Sequence, residues 1–114
     1  MSQLAQKKCI PCEGGMPALS HKQIQKLMPE LAKWKVIDNK LQKSIKFKDF
    51  VELMKFTNRL AELAEAEAHH PDFRVHYNIL GIEIWTHKVN GLTESDFILA
   101  AKTDALQKYF FSIE

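Results

Sequence analysis

The sequence predicts a single α+β domain, with helices covering one face of an antiparallel sheet and elements in the order α-β-β-α-β-β-α. Three observations predict it. Apolar residues recur at three- and four-residue steps in three stretches, which is the helical period. They alternate in four shorter stretches, which is the strand period. Turn or capping residues stand at the changes of period.

The chain has 114 residues, enough to bury one core but not two. Residues 1–18 carry Pro11, Gly14, Gly15 and Pro17 and are expected to be an irregular lead-in, with the domain proper spanning 19–114. Ser20 has the chemistry of a helix N-cap, and Gln23 stands three residues on as its capping-box partner. Ile24, Leu27 and Met28 form a short apolar stripe before Pro29 interrupts. Alternation then runs over Trp34–Ile37 and Leu41–Phe47, with Asp38-Asn39-Lys40 between them as a hairpin turn. From Asp49, a plausible N-cap, Phe50, Leu53, Met54, Thr57, Leu60, Ala61 and Ala64 trace an amphipathic helix. Pro71 forbids its continuation, so its end is expected near His69 or His70. Phe73–Ile79 and Ile82–Lys88 alternate again, with the turn expected within Asn78–Gly81. Thr93 and Asp96 make another cap signal. A last helix is expected from about Glu94 to Phe110, with Ile98, Ala101, Ala105 and Tyr109 on one stripe.

Composition excludes several functions. The formal net charge is +2 with no long basic block, so no electrostatic footprint of a nucleic-acid binder is present. Lys40, Lys43, Lys46 and Lys48 are scattered along a strand and are expected to form a solvated face. No apolar run reaches the roughly 20 residues that span a bilayer, and no membrane contact is expected. The N-terminus lacks the apolar stretch of a secretory signal, which makes a cytoplasmic address the default expectation. Cys9-Ile10-Pro11-Cys12 has the spacing of a redox pair or of half a zinc site. With no second cysteine pair, and Glu13-Gly14-Gly15 following, it reads as a reduced, non-catalytic segment.

The residues with chemistry gather around Glu65-x-x-x-His69-His70-Pro71. Glu65 and His69 are four apart, so on a helix their side chains can meet, and Glu65 is expected to orient His69. A helix C-terminus favours a cationic imidazole. Adjacent helical residues diverge by about 100°, so two neighbouring histidines converge on one ligand only where a helix stops. Histidine titrates near neutral pH, which suits a reaction that donates one proton and accepts another. His87 lies at the end of a strand before a loop. The same two histidines also fit a plain helix cap. A histidine metal site is disfavoured, because adjacent His-His is an awkward chelate and no HExxH-like placement exists. No metal is expected.

The stretch Glu65-Ala-Glu-Ala-His-His-Pro-Asp, then Tyr77-Asn78, Thr86-His87 and Gly91-Leu92-Thr93-x-x-Asp96, resembles the pterin-4a-carbinolamine dehydratases, bacterial members especially. Lys48-Asp49-Phe50 fits too, and the resemblance covers Trp34 to about Leu106. Phe73 departs from it, standing where Trp is common. The resemblance implies a four-stranded antiparallel sheet and a subunit that assembles by sheet contacts into a homodimer or homotetramer. It implies dehydration of 4a-hydroxytetrahydropterins to quinonoid dihydropterins, in support of aromatic amino acid hydroxylation such as that by phenylalanine hydroxylase. No cofactor is implied. His69, His70 and His87 would surround C4a, with His69 and His87 sharing the acid and base work and His70 binding the substrate. Asp96 would sit at the site or cap the last helix, and Trp34 would stack on the pterin or fill the core. Animal members also act as dimerisation cofactors of a homeodomain transcription factor, a role for a helix surface rather than for the histidines. Drift to another pterin, as in molybdopterin metabolism, is a third reading.

Overall fold

A computed structural model describes residues 3–9 and 17–112. Cys12 and the two glycines beside it lie outside those residues. Among the described residues, three α-helices and four strands follow the expected order: α1 (His21–Leu27), β1 (Lys35–Ile37), β2 (Lys40–Lys46), α2 (Phe50–Glu67), β3 (Asp72–His76), β4 (Ile79–Ile84) and α3 (Glu94–Ser112). The sheet is antiparallel throughout, in the order β1-β2-β4-β3. Short 3₁₀ turns precede β1 (Met28–Glu30) and α3 (His87–Val89), and one occurs near the N-terminus (Leu4–Gln6).

Local chemistry accounts for most boundaries. The Ser20 hydroxyl accepts the Gln23 N–H at 3.2 Å while the Gln23 side chain accepts the Ser20 N–H at 2.8 Å, a closed capping box. Asp49 caps α2 through the Glu52 N–H at 2.9 Å. Ile37 pairs with Lys40 around a two-residue turn, with φ of 53° at Asp38 and 60° at Asn39. Positive φ at both central residues defines the turn whose twist matches a hairpin, and Asn and Asp tolerate it.

The second hairpin turns earlier than expected. His76 pairs with Ile79, so the turn is Tyr77-Asn78, with Tyr77 at φ 52°. Gly81 is a strand residue opposite Ser44 and Arg74. Asn78 sets the position: its carbonyl accepts the Phe47 N–H at 2.8 Å, and its side-chain amide donates to the Phe47 carbonyl at 3.0 Å. Strand β4 also stops sooner, at Ile84, and Thr86 bridges Gly91 across the loop that contains His87.

The core lies between one sheet face and helices α2 and α3. Leu41, Ile45, Leu80, Ile82 and Ile84 come from the sheet, Leu53, Phe56 and Leu60 from α2, and Phe97, Ile98 and Ala101 from α3. Phe47, Phe56 and Phe110 close one end, with ring centroids 5.4–6.2 Å apart. This pulls Phe110 inward and leaves Tyr109, expected on the buried stripe, exposed. Trp34 resolves to the core. It is buried, and its indole N–H donates to Asp104 Oδ1 at 2.8 Å. Lys43 is a correction to the solvated basic face: it lies on the inner side of β2, buried, with Nζ 2.7 Å from Asp104 Oδ1. A strand has two faces, and lysine enters the inner one when a carboxylate is there to meet it.

Candidate active site

The end of α2 determines where the histidines go. The helix stops at Glu67, before either histidine and four residues before Pro71. Ala68 takes the left-handed conformation, φ 54° and ψ 36°. Its N–H reaches the Glu65 carbonyl and the His69 N–H reaches the Ala64 carbonyl, each at 3.2 Å. That pair of bonds is a Schellman motif with alanine in the place glycine usually takes. His69 and His70 therefore leave the helix in a non-helical segment, and half-buried Pro71 leads into β3. The proline forbids a longer helix, but the left-handed turn is what ends it.

This changes the partner of each histidine. His69 meets Asp96 rather than Glu65: its Nε2 is 2.6 Å from Asp96 Oδ1. The Glu65 carboxylate instead lies 2.5 Å from His70 Nε2, an exposed pair with side chains 79% and 61% accessible. Four-residue spacing requires the helix to continue, and it does not. The expectation that Glu65 orients His69 is overturned by this geometry.

Asp96 is completely buried, with 0% exposure, yet carries a carboxylate. Its oxygens are occupied. Oδ1 takes His69, while Oδ2 accepts the Thr86 hydroxyl at 2.7 Å and the Thr93 N–H at 2.8 Å. The Thr86 and Thr93 hydroxyls lie 3.1 Å apart. Asp96 stands third in α3, where a carboxylate reaches back to the N–H of the capping residue. Capping and holding His69 are thus done by two oxygens of one group. A buried carboxylate with three donors is satisfied, and it fixes the hydrogen of a neutral His69 on Nε2. Nδ1 is left with its lone pair and has no partner among the described residues.

His87 enters from the loop after β4. It follows Thr86, so the Thr86–Asp96 bond ties the His87 backbone to the residue that holds His69. Its ring stacks on Trp85, with centroids 3.9 Å apart and planes 28° apart. Lys40 Nζ sits 4.6 Å from the Trp85 ring centroid. The sequence marks Thr93 only as a helix cap and Thr86 only by its place before His87, and it gives Trp85 no role at the site. The Thr93-x-x-Asp96 spacing is the available signal for Thr93 alone; Thr86 reaches Asp96 from ten positions away, through the loop closed by its bridge to Gly91, and no local spacing announces it. Trp34 is not part of this cluster. Among the described residues no three His, Cys, Asp or Glu side chains are grouped so as to hold a metal ion, and no helix is long and apolar enough to cross a membrane.

Known proteins resemble this chain in sequence and in fold. Residues 17–106 match the family model described as Pterin 4 alpha carbinolamine dehydratase. A protein of Rickettsia canadensis (strain McKiel), named "Putative pterin-4-alpha-carbinolamine dehydratase", is 50% identical over 107 residues, covering 92% of this chain and 98% of its own. A relative of the same name from Rickettsia bellii (strain OSU 85-389) is 53% identical over 106 residues, covering 91% of this chain and 94% of its own. The crystal structure of a transcriptional coactivator/pterin dehydratase from Brucella melitensis superposes with a TM-score of 0.74 at 32% identity, over 78% of this chain and 97% of that one.

Proposed function

The chain belongs to the pterin 4 alpha carbinolamine dehydratase family, and we propose that it removes water from a 4a-hydroxytetrahydropterin to give the quinonoid dihydropterin, with histidines as general acid and base. The observation that carries this reading is the buried Asp96, which locks the His69 ring through Nε2 while tying in Thr86, the neighbour of His87. The reaction breaks the C4a–O bond and forms C4a=N5. One proton goes to the departing hydroxyl and one leaves N5, so the balance is one water released.

His69 is the base in this scheme. Its Nδ1 takes the N5 proton while the Asp96 carboxylate holds the tautomer and the ring, the role a buried aspartate plays toward a catalytic imidazole. His87, held flat against Trp85, donates to the hydroxyl. His70, with Glu65, lies at the exposed edge and binds the substrate, beside Pro71. Each general acid or base typically contributes about 10²–10⁴-fold. The physiological setting is recycling of pterin for an aromatic amino acid hydroxylase such as phenylalanine hydroxylase.

Self-association is part of the same reading. The two edge strands carry exposed apolar residues, Val36 and Ile37 on β1 and Val75 on β3, with Tyr77 in the adjoining turn. Unpaired edges of this kind support assembly into a homodimer or homotetramer. The Brucella protein's description joins dehydratase to transcriptional coactivator; a coactivator role here would use a helix surface and would survive loss of the histidines.

The test mixes the protein with freshly generated 4a-carbinolamine and follows quinonoid formation against the spontaneous rate. Acceleration is expected, falling by about 10²–10⁴-fold in His69→Ala and in His87→Ala. No acceleration by the wild type, or full rate in either variant, refutes the scheme.

A further inference from the structure

The segment Leu4–Cys9 lies outside the stretch that matches the family model, yet it is bound to both elements that build the His69–Asp96 pair. Its first end is anchored in the main core by Leu4, which is 2% exposed. Its other end is Cys9. The Cys9 N–H donates to Glu67 Oε1 at 2.9 Å, and the Cys9 thiol donates to the Ser95 carbonyl at 3.4 Å. Glu67 is the last residue of α2, two before His69, and Ser95 immediately precedes Asp96. One residue of the lead-in therefore touches the end of one helix and the start of the other. Lys102 of α3 closes the arrangement. Its Nζ donates to the Ala5 carbonyl at 3.0 Å and lies 3.7 Å from Glu67 Oε2.

Glu67 is the centre of this clamp. Its side chain is 8% exposed, and a carboxylate so placed needs its donors. Burial by itself would raise its pKa, but the Cys9 N–H and the Lys102 ammonium outweigh burial and hold the group below its ordinary value. Beyond Glu67 the chain turns through the left-handed Ala68, a conformation that costs a non-glycine residue about 1–2 kcal/mol. The His69 backbone thus follows a strained turn whose near side is fastened to the lead-in.

We infer that Cys9 and Glu67 are positioning residues: the Leu4–Cys9 strap fastens the C-terminus of α2 to the N-terminus of α3 and so sets the His69 ring against Asp96. Neither residue touches substrate. The effect on turnover rests on the dehydratase reading above, whereas the effect on the His69–Asp96 bond does not.

The experiment compares Glu67→Ala and Glu67→Gln in the full-length chain by two readouts. One is the proton resonance of the His69 Nε2–H bonded to Asp96. The other is steady-state dehydration, resolved into kcat and KM. Glu67→Ala is expected to lose or broaden the resonance and to lower kcat by about 10–100-fold, as small misplacements of a catalytic group do, with KM changed by less than about 3-fold. Glu67→Gln, which keeps an acceptor for the Cys9 N–H, is expected to recover the resonance and most of kcat. Should Glu67→Ala fail to fold, Lys102→Met, which cuts the ties to Ala5 and Glu67, takes the same readouts with the same losses expected. A lower melting temperature with resonance and kcat unchanged overturns the inference. A wild type that shows the resonance, responds to Glu67→Ala, and dehydrates nothing keeps the strap and refutes the proposed function.

Discussion

Replacing Asp96 with asparagine alters one atom's chemistry in a completely buried residue. The carboxylate accepts from Thr86, from the Thr93 N–H and from His69 Nε2. Asparagine has one carbonyl oxygen and one amide nitrogen. The oxygen can keep the Thr86 and Thr93 donors, which both use Oδ2. The nitrogen then faces His69, where it donates instead of accepting. That forces the His69 hydrogen from Nε2 to Nδ1 and removes the lone pair the proposed base uses. Loss of one general base lowers turnover by about 10²–10⁴-fold, equivalent to about 2.7–5.4 kcal/mol of activation free energy. Stability suffers less. Charge-assisted bonds become neutral ones, at about 0.5–1.5 kcal/mol for each of the two retained, a loss of about 1–3 kcal/mol in all. Domains of this kind have about 5–15 kcal/mol in hand, so Asp96→Asn is expected to fold. Alanine is the poorer test, because it strands three buried donors. Initial rates of quinonoid formation and urea unfolding of the same preparation measure the two effects together. A folded Asp96→Asn variant with wild-type turnover would falsify the assignment of His69 as an Asp96-held base.

Three further outcomes are expected. Asp104→Ala leaves the Lys43 ammonium, with its side chain 4% exposed, without the carboxylate it pairs with, and strands the Trp34 indole N–H; denaturant unfolding is expected to show a loss of about 3–5 kcal/mol, recovered in part when Lys43→Met is added, because the indole N–H stays stranded. Ala68→Gly relieves the left-handed turn at φ 54° and is expected to raise stability by up to about 1 kcal/mol, the reverse of glycine's usual effect inside a helix, measured as an increase in the urea midpoint at constant slope. Burial pushes the Cys9 thiol up from 9.0 to about 12, with the nearby Glu67 carboxylate adding to it; folded protein at pH 8 is expected to alkylate at Cys9 about 10³-fold more slowly than unfolded chain, read by peptide mapping. The same groups set the pH limits of strap docking. The raised thiol contributes stability that is lost as pH climbs from 9.0 toward 12, and the lowered Glu67 contributes stability that is lost as pH falls below the ordinary carboxylate value of 4.5.

The order of elements was legible because it is written in short-range chemistry. Ser20 with Gln23, Asp49 with the Glu52 N–H, and the Asp38-Asn39 turn each act within four residues, so the sequence by itself determined an α+β domain of three helices and two hairpins. The resemblance at Glu65–Asp72 and Gly91–Asp96 added the family, which the comparisons support over residues 17–106. The errors, and the alternative left open at Trp34, fall where a distant residue decides. The second hairpin turns at Tyr77-Asn78 because Asn78 clamps Phe47, which is 31 positions away. Lys43 and Trp34 go inward because Asp104, on the last helix, meets both. The histidine pair follows the same rule. A four-residue spacing assigned Glu65 to His69, but a left-handed Ala68 ended the helix and turned His69 toward Asp96, 27 positions on. Sequence spacing fixes which side chains can meet only while the backbone stays regular. Once it leaves the helix, the partner of His69 is chosen by the packing of α2 against α3, which only the tertiary structure decides.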